Sequence, residues 1–189
     1  MTANDYTINE HTHRFAVWTA ARAASRSRLK NSEVEFLITA SLLKEKVEAL
    51  RQIRNLDEPY YRNWIRETGE IICQQVIDKN WSPFKTKTFH FGLAAKIISI
   101  YIKTVEVLPT KGEALLAQIA YPPIDGILLK NINKKHSTKF EVNWSTFSWQ
   151  QYEKVIDKLQ EHYSLIPGWK IEVEWSVSNE EAIEVPLSN

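Results

Sequence analysis

The chain has 189 residues, 43% of them hydrophobic and 25% charged, a balance that supports a folded core and excludes disorder for the bulk of it. With 24 Lys and Arg against 23 Asp and Glu, the net charge of +1 argues against a uniformly basic nucleic-acid binder. The single cysteine, Cys73, excludes an internal disulfide and a cysteine-based zinc site.

The near-zero charge is a sum of unlike halves. Residues 1–139 hold 21 basic against 14 acidic side chains, and residues 140–189 hold 3 against 9. A basic face is therefore open to DNA or RNA wherever the acidic part packs away from it. The start Met1-Thr2-Ala3-Asn4-Asp5 lacks the basic-then-apolar order of a signal peptide. No apolar run nears the roughly 18 residues that cross a bilayer, so the expectation is a soluble, cytoplasmic protein without a membrane partner.

In chain order, apolar Phe15, Val17, Trp18, Ala21 and Ala24 recur at helical steps between Glu10 and Ser27, with Trp18 expected in the core. Ser32 and Glu35 have capping-box spacing ahead of a helical pattern that runs toward Arg54, with a break near Leu43-Lys44. Asp57-Glu58-Pro59 opens the next helix, in which Tyr61, Trp64, Ile65, Ile71, Ile72 and Val76 form the inner face up to Asn80. Cys73 lies on that helix and reads as a small buried hydrophobe.

Phe84 to Phe91 reads as extended or loop. Gly92 opens a helix over Leu93–Thr104 with a stripe of Leu93, Ile97, Ile100 and Tyr101. One or two helical turns over Glu113–Ala120 precede Tyr121-Pro122-Pro123, which leads into a helix near Ile124–Asn133 and then a basic loop, Lys134 to Lys139. Ser148 and Gln151 form a capping box for a helix bearing Tyr152, Val155, Ile156 and Leu159. Trp169 to Trp175 alternates apolar and polar residues like one short strand. The expected fold is mostly α: one domain over 1–178, an array of about seven helices with a possible short C-terminal strand, and an acidic tail over 179–189.

Two stretches carry chemistry. In Gly92-Leu93-Ala94-Ala95-Lys96 a glycine turn feeds a helix with an amine in its opening turns, where the helix dipole and apolar neighbours disfavour the ammonium form and favour a nucleophile. In Pro122-Pro123-Ile124-Asp125 two prolines mount a carboxylate at a helix start, where backbone amides keep it ionised. Lys85, Lys87 and His90 interleave with Phe84, Phe89 and Phe91, a pattern suited to phosphates and stacked bases, and Arg22 and Arg26 form a second basic edge.

Gly92-x-Ala94-x-Lys96 followed by Pro123-Ile124-Asp125 resembles the helix-hairpin-helix DNA glycosylases of the 8-oxoguanine glycosylase and endonuclease III type. In that resemblance Gly92 matches the first glycine of the turn, Ala94 stands at the second, Lys96 falls on the Schiff-base lysine and Asp125 on the essential aspartate. The resemblance implies a two-lobed helical fold, a flipped damaged or modified base, and attack by Lys96 on the sugar with Asp125 as partner, or a catalytically inactive relative. Lys96 and Asp125 are then expected to face one cleft about 3 to 6 Å apart. No metal or other cofactor is expected, the pair His11-x-His13 having no third ligand nearby. DNA and a second copy of the chain are the partners this reading admits. The alternative is a non-enzymatic helical binding or scaffold module, an accessory in a bacterial system, that pairs through the Trp169 to Trp175 strand and the acidic tail.

Overall fold

The computed structural model describes residues 6–24, 29–81, 89–164 and 166–176. They form α1 (Ile8–Ala23), α2 (Asn31–Ala40), α3 (Leu43–Arg51), α4 (Glu58–Lys79), α5 (Phe91–Ile102), α6 (Leu115–Ile119), α7 (Gly126–His136) and α8 (Trp149–His162). A π-helical turn, Lys103–Val107, prolongs α5, and 3₁₀ segments lie at Trp144–Thr146 and Gly168–Glu174. No strand occurs among the described residues, so the array is mostly α as expected.

The Trp169 to Trp175 strand is overturned. All of it but Trp175 is wound into the 3₁₀ segment, where Ile171 and Glu174, three apart, turn inward while Val173 points out. A lone extended segment has no ladder to satisfy its amides, so the backbone bonds locally, Lys170 N–H to the Pro167 carbonyl and Trp175 N–H to that of Glu172. The predicted acidic tail, with the chain from residue 177 onward, lies outside the described residues.

The organising element is α5. Eleven of its twelve residues are buried, which a helix apolar on nearly every side requires. It is wrapped by α1, α4, α8 and the 3₁₀ turn at Trp144–Thr146. The face α1 gives to α5 differs from the expected one: Ala16, Ala20, Ala21 and Ala24 are buried, whereas Phe15 and Trp18 stack on each other in solvent, half exposed. Small residues let two helix backbones approach closely, and large rings on the same stripe would hold them apart. Trp18 is therefore a surface residue.

Local signals account for most helix ends. Asp57 caps α4 by accepting the Tyr60 amide at 2.9 Å, and Ser148 and Gln151 complete the expected box on α8. Two other ends shift. The cap of α2 lies at Lys30, whose backbone N–H donates to Glu33 at 2.7 Å, rather than at Ser32. Helices α2 and α3 part at Leu42, which holds a left-handed conformation (φ 54°) with its side chain exposed. That conformation costs an L-residue about 1–2 kcal/mol, partly offset by the greater backbone entropy a glycine would lose. Leu42→Gly is expected to stabilise the protein by up to about 1 kcal/mol, read as a melting temperature raised by about 2–4 °C.

Helix α4 is tied to α8 by Arg62, which donates to Glu58 at 2.9 Å, to Asp157 at 2.6 Å and to Gln160 at 2.9 Å. Cys73 is partly buried on α4, and burial pushes its thiol up to about 12, which makes it inert at neutral pH. No described helix is long and apolar enough to cross a membrane.

Candidate active site

The approach to α7 is held rigidly. Tyr121, Pro122, Pro123 and Ile124 are all buried, and Tyr121 packs edge-on against Tyr61 of α4. This delivers Asp125 to the N-cap of α7 in extended conformation, where Oδ1 accepts the amides of Ile127 at 3.0 Å and Leu128 at 2.9 Å. Asp125 thus caps a helix that starts at Gly126, two residues later than the sequence pattern placed it, and keeps its second oxygen for other donors.

Those donors are Lys96 Nζ at 2.7 Å and the indole N–H of Trp175 at 3.0 Å, both on Oδ2. Four donors therefore converge on one carboxylate. Burial opposes its ionisation, but the Lys96 charge, the Leu128 amide and the two side-chain donors prevail, so Asp125 titrates below the ordinary carboxylate range.

Lys96 is only 7% exposed. It lies on the buried helix α5, with its ammonium 5.3 Å from the centroid of the Trp144 ring. Burial is the largest influence on the amine and lowers its pKa; Asp125 opposes that, and the net direction is downward. The expected juxtaposition is met, since Lys96 and Asp125 share one cleft and touch directly.

The cleft has a volume of about 280 Å³. Its charged walls come from α5 and its π-helical continuation (Lys96, Lys103), from the cap of α7 (Asp125) and from the 3₁₀ segment (Glu172), and the Trp175 ring just beyond that segment completes the lining. Lys103 donates to Glu172, so the cleft holds two ion pairs side by side. Two larger cavities lie elsewhere, one of about 390 Å³ beside Lys139, Lys158 and His162 and one of about 340 Å³ beside Glu58, Tyr121 and Gln160. Neither contains Lys96 or Asp125.

The remaining sequence candidates are dispersed. Gly92 and Ala94 are buried, and the Gly92 amide donates to the Phe147 carbonyl at 3.0 Å, so it is committed inside the fold rather than held out toward a phosphate. His90 is partly buried at the N-cap of α5, and Arg22 is exposed on the last turn of α1. Lys85, Lys87 and Arg26 lie outside the described residues. His13 bonds the Tyr101 hydroxyl at 2.8 Å and His11 that of Tyr6 at 3.1 Å, and no group of three metal-ligating side chains occurs among the described residues.

Lys103, Glu172, Trp144 and Trp175 were not singled out from sequence. Lys103 had a signal, because it follows Lys96 by two helical turns on the same face. Trp144 and Trp175 had none, since they reach the cleft only through tertiary packing.

Among the described residues, acidic side chains of the C-terminal part pair with basic ones of the preceding part. Glu172 meets Lys103, Glu174 meets Lys135 at 2.9 Å and His136 at 3.4 Å, and Asp157 meets Arg62. In this arrangement the cleft is close to neutral. Comparison of the chain with protein-family models, curated proteins and solved structures found no match.

Proposed function

We propose that the protein is a lysine-nucleophile enzyme of the DNA glycosylase type, acting on a damaged or modified base flipped from the strand. The observation that carries this reading is the buried Lys96 amine, 2.7 Å from Asp125 in a common cleft. Burial favours the neutral, nucleophilic amine, and the capped carboxylate stays anionic beside it. The likeness of Gly92 to Asp125 to the helix-hairpin-helix glycosylases supports the same assignment.

In the reaction, the lone pair of neutral Lys96 forms a bond to the sugar C1′ while the C1′–N bond to the base breaks. The base departs with that electron pair and is protonated. The attached amine loses a proton to Asp125 Oδ2; its nitrogen lone pair then forms the C=N bond as C1′–O4′ breaks, and O4′ leaves with that electron pair and takes the proton from Asp125, which gives the protonated imine and restores the carboxylate. The fixed carboxylate also stabilises positive charge that builds on the sugar during departure of the base.

Borohydride reduces such an imine to a stable amine. Incubation with duplexes containing oxidised, alkylated or deaminated bases, and with an abasic duplex, is expected to leave a covalent protein–DNA complex on denaturing gels. Lys96→Gln is expected to abolish it. Failure of the folded wild-type chain to trap on every such duplex would remove the nucleophile and leave the non-enzymatic binding module. The solvent-exposed stacked pair Phe15 and Trp18, with ring centroids 5.7 Å apart, favours that second reading.

A further inference from the structure

The two ion pairs of the cleft differ in how they are held. Lys96 and Asp125 join a buried helix to a helix cap fixed by two backbone amides and a double proline. Glu172, by contrast, sits on a seven-residue 3₁₀ segment in which its neighbour Val173 is 76% exposed, and Trp175, which follows the segment as its C-cap, is 43% exposed. The same segment places the Trp175 indole on Asp125 and the Glu172 carboxylate on Lys103. A planar bicyclic ring on the reactive carboxylate, with an anion on the adjacent cation, matches the chemistry of a purine-like base joined to a phosphate.

We propose that Lys103 is the phosphate ligand of the site and that Glu172, with Trp175, occupies the place a phosphorylated nucleotide unit takes. Lys96 and Lys103 are separated by two helical turns, about 10 Å along the axis at 1.5 Å per residue, and both side chains line the one cleft. Lys96, Lys103, Asp125 and Glu172 sum to zero charge, so a phosphodiester that displaces Glu172 enters without leaving a partly buried cation unpaired. The exchange also acts on the nucleophile, because Glu172 is among the groups that favour the charged form of Lys96 and Lys103 among those that disfavour it. The ligand class is a phosphate ester next to a pentose, carried either by a nucleic-acid strand or by a free nucleotide. The proposal rests on the glycosylase reading for the place of the sugar, and it is tested separately from it.

The test is an anisotropy titration of the full chain with a labelled oligonucleotide containing a tetrahydrofuran abasic analogue, which cannot form an imine. Glu172→Gln is expected to tighten binding about five- to tenfold at low salt, and Lys103→Gln to weaken it by a similar factor. The double variant should behave as Lys103→Gln alone. Lys103→Arg should retain wild-type binding, which separates lost charge from a damaged fold, and thermal melts check folding throughout. Deoxynucleoside monophosphate and inorganic phosphate serve as competitors. Competition by the monophosphate that follows the same series supports the phosphate site with a free nucleotide as its source, and a response confined to the oligonucleotide supports a strand. Equal affinities for wild type, Glu172→Gln and Lys103→Gln, or no binding of any phosphorylated probe, would overturn the proposal. Borohydride trapping with a flat Lys103 series leaves the nucleophile and removes the phosphate ligand; a graded Lys103 series without trapping does the reverse.

Discussion

Asp125→Asn is expected to reduce borohydride trapping by at least about a hundredfold, the lower bound of what a proton-transfer partner contributes, and to destabilise the fold by about 3 kcal/mol. The two effects have separable causes. Asparagine is as good an N-cap as aspartate, so the bonds from Ile127 and Leu128 survive and α7 keeps its start. What is lost is the anion facing Lys96, which is left buried with no counter-charge. A buried cation in that position sheds its proton rather than bear the full cost, which limits the destabilisation. Asp125→Ala removes the cap as well and should cost about 1 kcal/mol more. Urea denaturation of the wild type and both variants checks the order. Equal stability of Asp125→Asn and wild type would show that the pair is not a buried one in solution.

The same substitution has a signature in pH. Trapping requires neutral Lys96, so its rate should rise with pH through the lysine's pKa, which lies below the ordinary 10.5. The Asp125 charge raises that pKa; without it the rising limb should move to lower pH even as its height falls. A limb that stays in place would mean that another group limits the reaction. Stability follows its own signs. Because the Asp125 pKa is lowered in the fold, its contribution is complete above the unfolded value of about 3.9 and is lost as pH falls through the folded value below it. For Lys96 the unfolded chain holds the proton more tightly, so stability rises as pH climbs from the folded pKa toward about 10.4.

What could be read from sequence divides along the range of the forces involved. Asp57 ahead of Pro59, the Ser148 and Gln151 box and the Pro122-Pro123 lead into Asp125 act over one turn of chain, and each became a helix end. Trp18 was misplaced because hydrophobicity favours the largest apolar residue, while the distance between α1 and α5 is set by the smallest, Ala16 and Ala20. Trp169 to Trp175 offered too few residues to tell a period of two from one of three, and Glu174, the residue that decides it, is drawn inward by Lys135. The shared cleft of Lys96 and Asp125 is what the glycosylase resemblance implies, and the 2.7 Å contact agrees with it. The burial of Lys96 was not legible in the sequence, because it depends on wrapping of α5 by chain on both sides of it. Trp175 reaches Asp125 from fifty positions away, with no local pattern to announce it.

Gly92→Ala should be the most damaging single-methyl change, costing 3 kcal/mol or more, at and above the upper end of ordinary overpacking at about 1–3 kcal/mol. A Cβ at position 92 would stand 1.9 Å from the Trp144 carbonyl oxygen and 3.3 Å from Phe147 Cβ. The first of these obstacles is backbone, so no rotamer change relieves it. The turn carrying Trp144 would have to withdraw from α5, stretching the bond from the Gly92 amide to Phe147 and drawing the indole away from the Lys96 ammonium. Trapping should therefore fall even where the variant remains folded. The experiment also separates two roles for this glycine. If it serves close packing of α5 on the 144–147 turn, the denaturation midpoint falls steeply, while the folded fraction binds the tetrahydrofuran oligonucleotide nearly as well as the wild type. If instead its amide is released to meet a phosphate, as the glycosylase resemblance implies for the first glycine of the turn, stability should change little and oligonucleotide affinity should drop. The 1.9 Å approach and the bond to Phe147 favour the packing role.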